Sequence, residues 1–159
     1  MGVANTLAFD TPNLSPVNTV DLFTKVTKSV IINGFKFIPA LEHTLRQCLT
    51  LGRHTNIIHI YPQGVTRYIW AHRDYQPWGL RLPLQCQQCG ILNPWVSTFL
   101  RAIDGYRLEC KNPNCGIVGG RRVNQPSVLQ VEKPKGGELL STGRESKGSA
   151  SGWLKLCSN

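Results

Sequence analysis

Cys86-Gln87-Gln88-Cys89-Gly90 and Cys110-Lys111-Asn112-Pro113-Asn114-Cys115-Gly116 are the two stretches that decide how the middle of this chain folds. Paired cysteines grip a common ion only if the backbone doubles back sharply between them. The amides of that turn then point at the sulfurs and offset their negative charge. Glycine directly after the second cysteine of each pair suits such a turn, because that position often needs positive φ. Pro113 and Asn114 add turn chemistry to the wider pair. Four thiolates gathered in this way make a closed tetrahedral site with no position for water or substrate. One structural Zn2+ held by Cys86, Cys89, Cys110 and Cys115 is the preferred reading. Disulfides, an iron centre of rubredoxin-like spacing and unligated thiols are the alternatives.

Working outward, the spacer between the pairs has strand and turn content. Trp95–Leu100 reads as a strand, Asp104-Gly105 as a hairpin turn, and Tyr106–Glu109 as a strand running into Cys110. Ahead of Cys86, Leu80-Arg81-Leu82-Pro83-Leu84 alternates apolar with other residues and is the candidate for a third strand. So small a sheet buries little apolar surface, so metal binding is expected to supply much of its folding free energy, on the order of 10 kcal/mol. On these residues, 86–116 resembles the zinc-ribbon superfamily, and the C-x2-C/C-x4-C pairing is similar to the tail ribbons of type IA topoisomerases. That second likeness implies binding to single-stranded DNA. Those tails usually come as tandem ribbons with a basic, glycine-rich hairpin, whereas here there is one copy and the hairpin tip is the acidic Asp104-Gly105. The run from Arg67 to Cys115, with Pro77-Trp78-Gly79 and Leu82–Cys86, also resembles the C-terminal ends of large uncharacterised fungal proteins. It implies a ribbon closing a larger domain, and no activity.

Upstream, residues 16–77 read as an α+β segment, with the look of the end of a larger domain. Asn18 or Thr19 is placed to cap a helix carrying Leu22, Val26 and Val30 on one face. Asn33-Gly34 either ends that helix in a left-handed cap or turns a hairpin, and the cap is preferred. Pro39 suits the first turn of a second helix with Leu41, Leu45, Cys48 and Leu49 on its stripe and Gly52 past its end. Asn56–Tyr61 and Val65–Trp70 read as strands broken at Pro62-Gln63-Gly64. Residues 1–15 are expected to be flexible. The Gly-, Ser- and Lys-rich 121–159 lacks apolar periodicity and reads as a disordered basic tail. Trp153-Leu154-Lys155-Leu156 stands out there as a short docking motif. The fold class is thus α+β: a helix-helix-strand-strand segment, a three-stranded four-cysteine zinc ribbon over 78–120, and the tail.

The charge balance narrows the partners. Eighteen basic against nine acidic residues give a net charge of +9, but only 17% of residues are charged. Scarce carboxylates therefore explain the surplus better than dense cations do. A basic surplus suits nucleic acid or an acidic surface. The first fifteen residues hold no Lys or Arg and no unbroken apolar run, and no stretch is long enough to span a bilayer. No secretory signal or membrane partner is expected, and the location is expected to be intracellular, cytoplasmic or nuclear. In a reducing compartment cysteines favour metal over disulfides.

No P-loop, dinucleotide fingerprint, nucleophile elbow or paired-carboxylate motif is present, so no catalytic residue is named. Cys48 with His43 and His54 reads as a core thiol beside surface histidines rather than a nucleophile pair. The candidate nucleic-acid contacts are Arg67, Arg73, Trp78, Arg81, Trp95, Arg101, Arg107, Lys111, Arg121 and Arg122. Their aromatic members either stack bases or pack the ribbon, and packing is preferred. The expected function is a non-catalytic zinc ribbon acting as a structural or protein-interaction module, its partner a protein or a neighbouring domain. A nucleic-acid-binding ribbon is the alternative, and the C-terminal fragment of a larger enzyme the more distant one.

Overall fold

The computed structural model describes residues 4–12, 14, 16–140 and 151–158. The chain forms two compact units: one built from Met1–Ala71 with Lys135–Asn159, the other from His72–Pro134. No helix among the described residues is long and apolar enough to cross a membrane.

The first unit has a helical layer on a five-stranded sheet. Strand β1 (Thr6–Phe9) precedes helix α1 (Pro16–Thr27), a π-helical turn over Lys28–Ile32, α2 (Phe37–Leu45) and the single turn α3 (Leu49–Gly52). Strands β2 (Ile57–Tyr61) and β3 (Gly64–His72) form a hairpin. Helix α1 starts earlier than the cap residues suggest. Pro16 fits its first position, where a missing N–H costs nothing, and Thr19 Oγ1 donates back to Pro16 O at 2.9 Å instead of capping. Gly34, at φ +69°, ends the helical run, in agreement with a left-handed cap. Leu22, Val26, Leu41, Leu45 and Leu51 pack against Ile57, Tyr68 and Trp70 in one core. Each such side chain contributes about 1.5–3 kcal/mol on burial.

Two expectations for the chain ends are corrected. Thr6–Phe9 is not flexible: it pairs with β2 as an edge strand, Thr6 opposite Ile60 and Phe9 opposite Ile57. Residues 1–3, 13 and 15 of that expectation lie outside the described residues. The segment after Arg121 is not a disordered tail. Strand β7 (Arg121–Arg122), paired with β6 (Ile117–Val118) just ahead of it, then β8 (Val128–Glu132), β9 (Glu138–Leu140) and β10 (Ser151–Ser158) occupy it; 141–150 and 159 lie outside the described residues. The sheet order is β1-β2-β3-β10-β9. Trp153 and Leu154 are fully buried, with the Trp153 ring edge-on to Trp70 at 5.8 Å, and Lys155 pairs with Glu42 at 2.7 Å. A few apolar residues suffice here because two existing layers receive them, which composition averaged over 39 residues hides.

In the second unit, β4 (Trp95–Leu100) and β5 (Gly105–Cys110) pair antiparallel, with Asp104 left-handed at the turn (φ 44°). The third strand is β8, not Leu80–Leu84. Pro83 offers no N–H to a ladder, and its carbonyl instead accepts Trp95 Nε1–H at 2.7 Å. β8 lays Leu129 opposite Leu108 and Val131 opposite Tyr106.

His59 is fully buried on β2 between the Phe37 and Tyr61 rings. Nε2 bonds Asn5 Oδ1 at 2.8 Å, and Nδ1 has no partner. Burial holds its imidazole below the ordinary pKa, against the attraction of Glu42. The unfolded chain therefore takes up a proton near pH 6.5 that the native state refuses. Unfolding free energy should fall as pH drops below about 6.5 through the lowered native value. Denaturant titrations at neutral and acid pH check this: His59→Phe should flatten the dependence relative to wild type, and parallel curves would refute it.

Candidate metal centre

The four cysteines predicted to share an ion converge: their sulfurs all lie within 4.8 Å of one another. Cys86 and Cys115 Sγ stand 3.8 Å apart, and Cys89 and Cys110 Sγ 3.6 Å. A tetrahedral ion with metal–sulfur bonds of about 2.3 Å spaces its sulfurs about 3.8 Å apart. The arrangement is therefore capable of holding one metal ion in an all-sulfur shell.

Local backbone geometry makes the cluster. In the first loop Gly90 N donates to Cys86 O at 2.8 Å and Cys86 N to Ile91 O at 3.0 Å, with Gly90 at φ +71°. In the second, Cys115 N donates to Asn112 O at 2.9 Å, and the Asn112 side chain accepts from Asn114 N at 3.0 Å. Gly116 sits at φ +82°, and a Cβ there would overlap Asn124 O. Both glycines singled out in the sequence thus meet a steric need, the second a double one.

The sulfurs receive main-chain N–H groups: Cys86 from Cys89 and Gln88, Cys89 from Ile91, Cys110 from Asn112, and Cys115 from Ser127 at 3.5 Å. Burial raises the Cys86 thiol, but its two amide donors and neighbouring thiols outweigh that and bring it to about 6. Cys110, with one amide donor, is pushed by burial up to about 12. The amides thus favour some thiolates and leave others protonated. A dication held between the sulfurs would supply the missing positive charge and let all four ionise.

Ser127 is the residue that sequence reasoning missed. Its carbonyl accepts from Cys110 N at 3.0 Å while its amide donates to Cys115. It clamps both cysteines of the second loop immediately before β8 begins. A lone Ser after Pro126 carries no signal for this, because its partners depend on a strand pairing 17 residues away.

The candidate nucleic-acid residues separate. Arg67 is exposed on β3, in the first unit. Trp78 is buried against Tyr106 (5.7 Å), with Lys133 Nζ 5.4 Å from its ring, which is packing rather than a free face. Arg73 is committed to Ser97 Oγ and O at 3.1 and 3.3 Å, and Arg107 to Glu109 at 2.7 Å. Trp95 is half-buried. Arg81, Arg101, Lys111, Arg121 and Arg122 are exposed. Lys111 follows Cys110 directly, and Arg121 and Arg122 lie on the β6–β7 hairpin, opposite Val118 and Ile117.

Because Ser127 ties the cluster to β8, chelation should loosen the three-stranded sheet. Hydrogen exchange at 105–110 and 128–132 should accelerate at least about tenfold when the metal is stripped, while 57–61 keeps its protection. Unchanged protection at 128–132 would sink the coupling. No protein-family model, curated protein or solved structure matches this chain.

Proposed function

We propose that residues 72–134 are a non-catalytic module folded around one structural zinc ion, working as a docking surface for a protein or a neighbouring domain. The supporting observation is the closed cluster: four sulfurs at tetrahedral spacing, served by main-chain amides and without carboxylate or imidazole among them. Sulfur-only tetrahedral sites favour zinc or iron over magnesium and calcium, and zinc performs no redox chemistry of its own. A shell complete in protein ligands leaves no coordination position to activate water. The ion's task is then to hold the loops.

A second reading makes the partner nucleic acid. The module carries eight basic and four acidic residues. Asp74, Asp104 and Glu109 are paired with Arg73, Lys133 and Arg107. Among the described residues, five exposed cations remain without an ion-pair partner in the module, against Glu132 alone. Four thiolates and a dication carry a formal charge of about −2, so a smaller positive surplus survives metal binding.

Metal analysis tests the first reading. Purified protein should hold about one zinc per chain. Cys110→Ser should weaken metal binding by more than about tenfold, while Cys157→Ser, outside the cluster, keeps full occupancy. Full occupancy in Cys110→Ser would show that the ligand set is wrong. For the second reading, affinity for single-stranded oligonucleotides should fall steeply with salt. Replacing Arg121 and Arg122 by Gln should reduce the log–log slope by about 0.7 per lost phosphate contact. No binding at about 50 mM salt would eliminate it.

A further inference from the structure

We propose that a cavity of about 510 Å³ in the second unit, walled by Tyr75 and Trp95, is a pocket for one unstacked nucleobase bearing an exocyclic amino group. The inference rests on the nucleic-acid reading above and names the part of the ligand this unit grips. The volume lies in the range of small-molecule pockets, about 300–1,000 Å³. Pro83 and Leu84 supply further apolar wall, and Asp74 and Asn93 the polar groups.

Both aromatic rings are held before any ligand arrives. Tyr75 is 72% exposed, yet its ring stacks on His72 with centroids 4.2 Å apart and planes 21° from parallel. His72 and Gln76 exchange main-chain hydrogen bonds of 3.0 and 2.9 Å, so the turn carrying Tyr75 is closed. One face of the phenol is backed and the other is left for a ligand. Trp95 has its indole N–H committed to Pro83 O at 2.7 Å, so what it offers a ligand is its ring surface. Rings fixed in this way lose little rotamer freedom on binding, and every base has a π-face to lay on them.

The polar wall selects among bases. Asp74 takes the Ser97 hydroxyl at 2.8 Å and Arg73 Nε at 3.5 Å, both on Oδ1. Oδ2 takes part in neither contact. A carboxylate oxygen accepts from the amino group of cytosine or adenine and repels the O4 of thymine or uracil. Asn93 has both a donor and an acceptor for the rest of the base edge.

Aromatics beside a carboxylate also suit a cationic side chain, such as a methylated lysine. Charge decides against that occupant. Arg73 already offsets Asp74, and the exposed Arg81, Arg101, Lys111, Arg121 and Arg122 repel a cationic peptide while attracting a polyanion.

The test uses the full zinc-loaded chain and fluorescence anisotropy with labelled single strands of about 12 nucleotides, dC-only and dT-only. The dC strand should bind more tightly than the dT strand. Tyr75→Ala should weaken dC binding by about tenfold to a hundredfold, Tyr75→Phe should leave it near wild type, and neither should change the salt slope. Asp74→Asn should narrow the gap between the two strands. Zinc content and circular dichroism of each variant verify that it is folded. Equal affinity for the two strands, or no loss in folded Tyr75→Ala, overturns the pocket while a steep salt slope keeps the cationic reading. Failure of every oligonucleotide to bind removes both. Binding of a trimethyl-lysine peptide in their place assigns the cavity to a cation and overturns the proposal.

Discussion

Four sulfurs within 4.8 Å of one another cannot all be ionised in a buried site unless positive charge sits among them. That constraint organises the second unit. Main-chain amides of the two loops supply part of the positive potential, leaving the remainder for a cation such as the proposed zinc, and the loops are shaped to deliver N–H groups to sulfur. Gly90 and Gly116 adopt positive φ for this reason, and Asn112 turns the second loop with both its carbonyl and its side chain. The three-stranded sheet then hangs from the cluster through Cys110 at the end of β5 and Ser127 immediately before β8.

What the unit displays follows from what it buries. Trp78 and Tyr106 are consumed in packing, so they brace the sheet and are lost as stacking surfaces. Tyr75 and Trp95 stay at the rim of a cavity. The carboxylates, scarce to begin with, are mostly paired locally, and cations accumulate on the loops and hairpin beside the cysteines. The proposed metal centre and binding surface are therefore compatible in one small module: the ion would rigidify the loops while the exposed side chains stay available for contacts.

The first unit answers to a different force. Its helices and sheet meet in a continuous apolar core, and the late strands β9 and β10 complete that core with Leu140 and Trp153. Residues far apart in the chain complete one sheet, with 72–134 inserted between them in the sequence, which is why 16–77 by itself looks like an unfinished domain.

Spacing alone picked out the four cysteines that cluster, because C-x2-C and C-x4-C each followed by glycine encode tight turns whose geometry is local. The helices near Leu22–Val26 and Leu41–Leu45, the β2–β3 hairpin and the β4–β5 hairpin were legible for the same reason: periodicity and turn residues act over a few positions. Only the tertiary structure decided the rest. Which segment completes the three-stranded sheet depended on Pro83 lacking an N–H and on Leu129 and Val131 finding Leu108 and Tyr106. Whether Trp153 folds depended on the core waiting to receive it. Whether Trp78 or Tyr75 faces solvent depended on long-range packing that no local pattern records. Short-range backbone geometry is written in neighbouring residues, whereas strand partners and exposed faces are settled by contacts between residues tens of positions apart.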